Sequence, residues 1–262
     1  MQPTTLKESN ELQSAFVVKS NELIQKTTFS LTAQQQKIVL FIASKIKPED
    51  EMFHEYCFTI PEFCQICGIE KGGKQYDELW NALEGLRKAD IKYNGSTRIP
   101  IDNDTETTLQ WVLKCFFDKK AGLVHILMDP SMVPFLLRLK SNFTQYELIW
   151  TLQFKSKYAI RLYEYCKSRQ YNKLKEYSFR VTLDELQDRM GSSYPRFPNF
   201  RQKALDVAVR EINEKSDMMV EYSAAKTGKA VSALDITVKT KEVGERLKRY
   251  AEIEKTYMGR NL

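Results

Sequence analysis

The spacing of apolar and polar residues predicts the same short helical unit at two places in the chain. Residues 58–68 read Phe-Thr-Ile-Pro-Glu-Phe-Cys-Gln-Ile-Cys-Gly, and residues 181–191, 123 positions later, read Val-Thr-Leu-Asp-Glu-Leu-Gln-Asp-Arg-Met-Gly without a gap. In each copy a Thr stands three residues before a Glu, which is typical of a capped helix start, and a Gly follows the last apolar position. Each segment therefore predicts a helix of two turns that ends at a glycine.

A longer amphipathic helix follows each short helix. The apolar spacing predicts it over about residues 74–89 in the first copy and about 199–215 in the second. A short capped helix, a glycine turn and a longer amphipathic helix form the helix-turn-helix plan, so the chain predicts this plan twice. The matched apolar positions are Leu79, Ala82, Leu83 and Leu86 in the first copy and Leu205, Ala208, Val209 and Ile212 in the second.

Strand-like segments follow both units and predict a β-hairpin, or wing, in each copy. They are Ile91–Tyr93, Leu109–Phe117 and Leu123–Met128 in the first copy, and Met218–Tyr222 and Val231–Lys239 in the second. The predicted turns between strands are Asn94-Gly95, Lys119 to Gly122, and a basic tip from Ala225 to Lys229. Further predicted elements are an extended segment at Phe16–Val18, a helix that begins at the capping signal Leu31–Gln35 and ends before Pro48, and a short helix at Met132–Leu139. A longer helix is predicted at Tyr158–Gln170. Its inward residues are Tyr158, Leu162, Tyr165 and Cys166, with basic residues between them.

These elements predict an α+β fold of two tandem winged helix-turn-helix domains related by internal duplication. The expected domains are a flexible leader at residues 1–15, an N-terminal winged-helix domain at 16–140, a C-terminal winged-helix domain at 141–240, and a charged helical tail at 241–262. A chain of 262 residues with 42% apolar and 11% aromatic residues is long enough for two compact cores.

The excess positive charge lies in the second copy. Residues 1–140 carry 17 Lys and Arg against 18 Asp and Glu, a net charge of −1, whereas residues 141–262 carry 23 against 16, a net charge of +7. A phosphate backbone attracts such a field whatever its base sequence, although a basic half can equally be a solubilising surface. Its coincidence with a helix-turn-helix pattern favours the C-terminal domain as the main DNA contact.

The second long helix divides into an apolar and a polar face, as a recognition helix requires. Arg201 falls within the apolar arc, but in the first turn, where a long side chain can still reach outward. The same division also fits an ordinary solvated helix face. The residues predicted to contact DNA are Arg196 and Asn199 at the helix entrance, Arg201, Gln202, Lys203 and Arg210 along the helix, Lys226 and Lys229 on the wing tip, and, as a weaker or secondary site, Lys71, Lys74 and Gln75 at the entrance of the first long helix. The first long helix carries more carboxylates than the second, so it also fits a protein interface.

The sequence gives little support for a membrane protein, a secreted protein or a metal-binding protein. No apolar run approaches 18 residues, the N-terminus is polar, and five cysteines without a framework spacing fit a reducing cytosol. A zinc site could be drawn through His54, Cys57, Cys64 and Cys67, but two of these cysteines fall inside a predicted helix where the second copy has Gln and Met. Gly228-Lys229 lacks the remainder of a phosphate-binding loop. We therefore predict neither a cofactor, nor a metal, nor a catalytic site.

Four stretches give the chain a resemblance to the iteron-binding plasmid replication initiators, a family with two winged-helix domains in tandem. The matching stretches span about residues 16–239 and are 17–23 (Val-Val-Lys-Ser-Asn-Glu-Leu), 31–38 (Leu-Thr-Ala-Gln-Gln-Gln-Lys-Ile), 155–164 (Lys-Ser-Lys-Tyr-Ala-Ile-Arg-Leu-Tyr-Glu) and 200–215, from Phe-Arg-Gln-Lys-Ala-Leu to Glu-Ile-Asn-Glu-Lys.

The resemblance implies several properties that composition does not. Monomers of such proteins bind direct repeats in the origin, chiefly through the C-terminal domain, and help to open the double-stranded DNA. Homodimers, joined through the N-terminal domain, bind inverted operator repeats and repress their own gene. The host replication initiator, the replicative helicase and chaperones are the implied partners, in the bacterial cytoplasm and on the plasmid rather than at a membrane.

The sequence thus predicts a plasmid replication initiator that represses its own gene and is not an enzyme. One alternative is a winged-helix transcriptional repressor without initiator activity. The other is a DNA-nicking rolling-circle initiator, for which the 13 tyrosines offer a nucleophile but no accompanying cluster of metal ligands.

Overall fold

The computed structural model describes residues 15–69, 74–93, 107–172 and 174–258. The predicted leader, apart from Ala15, and the predicted Asn94-Gly95 turn lie outside these residues. The strands are β1 Phe16–Ser20, β2 Thr27–Thr28, β3 Tyr56–Thr59, β4 Asp90–Tyr93, β5 Thr107–Gln110, β6 Val112–Asp118, β7 Leu123–Met128, β8 Phe143–Glu147, β9 Glu176–Thr182, β10 Met218–Thr227 and β11 Ala230–Thr240. The helices are α1 Asn21–Gln25, α2 Ala33–Lys45, α3 Ile60–Cys67, α4 Gln75–Arg87, α5 Val133–Leu136, α6 Ile149–Leu152, α7 Lys157–Ser168, α8 Leu183–Met190, α9 Phe197–Phe200, α10 Asp206–Lys215 and α11 Val243–Met258; a π-helical turn, Arg201–Leu205, joins α9 to α10.

The first copy forms a winged helix. Strand β3 ends at Thr59, whose hydroxyl accepts the backbone N–H of Glu62 at 3.3 Å and so caps α3. Helix α3 ends at Gly68, whose φ of +70° is the left-handed conformation that glycine adopts most readily. Helices α3 and α4 both pack on α2, and β3, β7 and β6 form one antiparallel sheet in that order.

The second copy repeats this arrangement with the same strand order. Thr182 caps α8 by accepting the N–H of Glu185 at 3.2 Å, and Gly191 ends it with φ +62°. Strands β9, β11 and β10 correspond to β3, β7 and β6, and the capping threonines occupy equivalent registers, Thr59 opposite Leu123 and Thr182 opposite Ala233. The duplication therefore extends from the sequence pattern to the pairing of the strands.

Several predicted boundaries are wrong. The predicted strand Leu109–Phe117 is two strands, because Trp111 turns fully into the core between them, and the first of these pairs with β4 rather than joining the wing. The predicted helix Met132–Leu139 is a 3-10 turn followed by α5 and ends at Leu136. The wing tip is a two-residue turn at Gly228 and Lys229, since β10 and β11 run further than predicted.

A buried polar contact joins β2 to α7 and α8. Arg161 of α7, one of the basic residues between the predicted inward positions, is only 2% exposed, and its guanidinium lies 3.9 Å over the ring of Phe29. Its Nη2 and the Nη1 of Arg189 donate to the carbonyl of Thr27 at 3.3 and 2.9 Å. Burial lowers the pKa of Arg161 to about 10. Arg161 of α7 and Arg189 of α8 therefore bind the same carbonyl of β2.

Residues before and after the predicted domain boundary near Lys140 contact each other. Strand β8, which follows that position, pairs with β1, and Lys19 of β1 donates to Glu164 of α7 at 2.8 Å in a fully buried ion pair. The boundary stays a prediction.

The tail forms the predicted helix, α11, and packs on the body of the protein. Ile253 is fully buried, and the ring of Tyr250 lies edge-on to Trp150 of α6 at 5.7 Å. Among the described residues, no helix combines the length and apolar character that crossing a membrane requires.

Candidate nucleic-acid interface

Residues 197–215, which we name the second reading helix, form one continuous helical segment that begins two residues earlier than predicted. Its inner face seats it on the domain, and its outer face is polar and exposed, as the sequence indicates. The fully buried inner residues are Phe200, Ala204, Leu205, Ala208 and Ile212. The exposed outer residues include the predicted Arg201, Gln202, Lys203 and Arg210.

The π-helical turn at Arg201–Leu205 was not predicted, and it explains why Arg201 faces outward. The backbone N–H of Asp206 donates to the carbonyl of Arg201, five residues earlier, so these two side chains lie next to each other. Arg201 Nε is 3.8 Å from Asp206 Oδ2. The other carboxylate oxygen of Asp206 accepts a hydrogen bond from the hydroxyl of Tyr222 in β10. Partial burial, and next the hydrogen bond to Asp206, raise the pKa of Tyr222 well above its ordinary value.

The helix entrance and the wing tip present the remaining predicted cations. Arg196 and Asn199 are both exposed at the first turn of the second reading helix. Lys226 and Lys229 are exposed at the end of β10 and in the two-residue turn, where Gly228 has φ +63°. A hydrogen bond of 2.7 Å between the hydroxyls of Thr227 and Ser232 braces this tip. The structure thus gathers these residues on the outside of one winged helix, and their contact with DNA stays a prediction.

Helix α4 occupies the equivalent position in the first copy, and we name it the first reading helix. Its outer face is acidic and aromatic: Asp77 and Glu78 are exposed in the first turn, and Trp80 is 40% exposed beside Phe117 of β6, with ring centroids 5.4 Å apart. Lys74 is exposed at the start of this helix. Lys71 and the side chain of Gln75 lie outside the described part of the chain. A carboxylate-rich face repels a phosphate backbone, so the two reading helices offer DNA different chemistry.

Two polar residues of the second reading helix have structural partners that the sequence did not indicate. Asn213, in the last turn of this helix, exchanges hydrogen bonds with the backbone of Val220 at 3.0 and 2.7 Å, which fixes the helix to the wing. Buried Glu211 accepts the backbone N–H groups of Lys155 and Ser156 at 3.0 and 2.9 Å, just before α7 begins. These partners lie 56 and 55 residues before Glu211 in the sequence, so no local pattern indicates them.

Two of the three cysteines that suggested a zinc site pack in the core. Cys64 and Cys67 are buried on the inner face of α3, and burial raises the pKa of the Cys67 thiol far above its ordinary value. Cys57 and His125 lie next to each other on the wing sheet, with Sγ and Nε2 3.8 Å apart. Among the described residues, no three His, Cys, Asp or Glu side chains come together as metal ligands would.

Comparisons with known proteins agree with the duplicated architecture. The family described as "Initiator Replication protein, WH1" matches residues 16–167, and the one described as "Initiator Rep protein, WH2" matches residues 182–238. A replication initiation protein of Escherichia coli is 24% identical over 209 residues, which are 77% of this chain. The matched region is 63% of that relative, so this chain spans less than two thirds of its length.

A solved structure shares the fold of nearly the whole chain. The crystal structure of Pi initiator protein in complex with iteron DNA aligns with a TM-score of 0.71 and 18% identity, over 87% of this chain and 98% of that one. The predicted α+β fold with two winged-helix domains is therefore confirmed. Because the WH1 family covers more than half of the chain and the WH2 family follows it, the protein belongs to the initiator replication protein family.

Proposed function

We propose that this protein initiates plasmid replication by binding repeated sites in the double-stranded DNA of an origin, chiefly through its second reading helix and second wing. The observation that carries the proposal is the exposed cationic face of that helix, seated on the WH2 winged helix. The structural relative that carries iteron DNA supports the choice of repeated origin sites as the target.

The exposed side chains divide by the part of DNA that they suit. Arg201, Gln202, Lys203 and Arg210 lie along the helix, where donors reach base edges in the major groove. Arg196, Lys226 and Lys229 lie at the entrance and on the wing tip, where they suit phosphates and position the protein. The side chains along the helix would therefore recognise the DNA sequence, and those at the entrance and on the wing tip would hold the protein on the DNA.

The first copy has a secondary part in this proposal. Lys71, Lys74 and Gln75 make a weaker DNA contact, and the N-terminal domain joins two chains when the protein represses its own gene at inverted repeats. Monomers bind the direct repeats, open the DNA, and recruit the host initiator and the helicase in the bacterial cytoplasm. Free energy for opening comes from binding and bending, so the chain needs neither a cofactor nor a catalytic step of its own.

Binding to an origin fragment tests the DNA contact. The double variant Arg201→Ala, Lys203→Ala is expected to lose about 10- to 100-fold in affinity by fluorescence anisotropy, with a shallower salt dependence, because two cations leave the interface. The matched control, Lys47→Ala with Lys248→Ala, removes the same charge from exposed positions outside both reading helices. Equal losses in the two double variants would contradict the assignment.

Transformation separates an initiator from a repressor that uses the same surface. An origin-bearing plasmid without another replication gene should be maintained when this gene is supplied and lost when it is absent. Repression of a reporter without plasmid maintenance would support the repressor, and a nick in supercoiled origin DNA in the presence of Mg²⁺ would support a rolling-circle enzyme.

A further inference from the structure

A carboxylate on the reading face is unexpected in a helix that binds phosphate-rich DNA. Asp206 is 51% exposed and lies beside Arg201, which is 55% exposed. A negative charge at this place weakens attraction to any DNA sequence. An ion pair this exposed also adds little to the stability of the fold. Neither general affinity for DNA nor the stability that this ion pair adds accounts for an acidic residue at this position.

The carboxylate is held from two sides. The π-helical turn brings Asp206 beside Arg201, and the hydroxyl of Tyr222 binds its other oxygen from the first wing strand. The carboxylate is thereby fixed to both the reading helix and the wing. Because the carboxylate lies on the Nε side of the guanidinium, the outer edge formed by the two terminal nitrogens is left for another acceptor. Those nitrogens are the donors that bind O6 and N7 of guanine as a pair.

We propose that Asp206 is a positioning residue that fixes the Arg201 guanidinium to recognise one guanine of the binding site, and that Tyr222 holds Asp206 in place. The proposal rests on the proposed DNA-binding function. Arg201 then discriminates between bases instead of moving to the nearest phosphate. A different role is direct recognition, in which Asp206 itself accepts a hydrogen bond from N4 of cytosine.

Selection of binding sites from a random duplex pool, using the full chain, distinguishes these roles. Asp206→Asn retains the shape of the side chain and removes its charge. It is expected to lower the preference for guanine about tenfold at a single position, the same position that Arg201→Ala affects. Its affinity for random duplex DNA should stay equal or rise, because a negative charge has left the interface. Tyr222→Phe should weaken the same preference with the charge unchanged, and Arg201→Lys should remove it, since Lys lacks the planar pair of donors.

A second Arg–Asp pair of the same winged helix provides the control. Arg180 Nε and Nη2 donate to Asp235 at 2.7 Å each, on the more exposed face of the sheet that β9, β11 and β10 form. Asp235→Asn removes this pair and should leave every position of the selected site unchanged.

Three results would overturn the proposal while the DNA-binding function stands. They are an unchanged profile for Asp206→Asn, a loss at a position that Arg201→Ala does not affect, and an equal loss at all positions together with a lower melting temperature. If the unmodified chain selects no common site, the proposed function fails, and the role of Asp206 falls with it.

Discussion

The two glycine turns have the same conformation and different neighbours. A Cβ at Gly68 would lie 3.8 Å from Lys37 Nζ, the end of a flexible side chain of the same half. A Cβ at Gly191 would lie 2.3 Å from the carbonyl oxygen of Phe29, a rigid backbone atom of the other half. One turn is covered by a side chain, and the other is the surface on which the first half docks.

The two reading helices also share their local structure and differ in what they present to their surroundings. Their inner apolar positions match, whereas the outer positions differ: Tyr76, Asp77, Trp80 and Glu84 stand where the second copy has Gln202, Lys203, Asp206 and Arg210. The two copies thus share the apolar residues that form the core of the module. They differ at the outer positions, which can contact other molecules.

Exchanging the charges of the outer faces is expected to have the largest effect. Lys203→Asp with Arg210→Glu should lower the affinity for origin DNA on the order of 10³-fold, since two attractive contacts become repulsive. The matched variant, Asp77→Lys with Glu84→Arg, should keep or modestly raise this affinity. Anisotropy titrations at fixed salt measure both. If the second variant gained as much affinity as the first lost, the two helices would be equal DNA contacts.

The glycine turns give the next largest effect, on folding stability. Gly191→Ala is expected to cost about 3 kcal/mol, because left-handed strain of about 1–2 kcal/mol adds to the clash with Phe29. Gly68→Ala should cost only the strain. Gly122→Ala, at φ +68° with nothing within 4 Å, measures the strain alone. Urea unfolding of the three variants gives the comparison, and equal costs would show that the first half moves aside readily.

The comparison also shows which parts of the structure the sequence could predict. Local signals were sufficient for the capped helices, the left-handed glycines and the apolar face of each reading helix, because neighbours within a few residues determine them. They were not sufficient for the partners of Arg161, Glu211 and Gly191, which lie across the chain. The π-helical turn has no local signal that we recognise, so the contact between Asp206 and Arg201 could not be predicted.

Lys37, the side chain that covers the turn at Gly68, should make the free energy of unfolding depend on pH. Its side chain is 6% exposed, and burial lowers its pKa from 10.5 to about 8. Cys67 and Glu211 oppose this shift with smaller effects, and the charges of Lys215 and Lys155 add to it. Between pH 8 and 10.5 the unfolded chain therefore holds a proton that the folded chain has released, so this residue makes the free energy of unfolding rise with pH.

The expected result is that Lys37→Met is more stable than the unmodified chain at pH 7, by up to about 3 kcal/mol, and that the gap narrows towards pH 10. Urea unfolding across this range measures it. Exposed Lys47→Met serves as the control and should show no such gap. A gap that stayed constant with pH would mean that better packing of Met, and not the lost charge, explains the stabilisation.

The helix caps should give the smallest effect and the closest agreement between the copies. Thr59 and Thr182 accept a backbone N–H at 3.3 and 3.2 Å, so either Thr→Ala variant is expected to cost about 1 kcal/mol, and either Thr→Ser variant much less. The two copies differ beyond the cap, since the carboxylate of Glu185 also accepts from Tyr165 and Arg169 at 2.8 and 3.0 Å. Equal costs in urea unfolding would show that each cap acts locally. A clearly larger cost for Thr182→Ala would show that its cap also orients Glu185, and that the second copy depends on its neighbours even at a position where both copies carry the same residue.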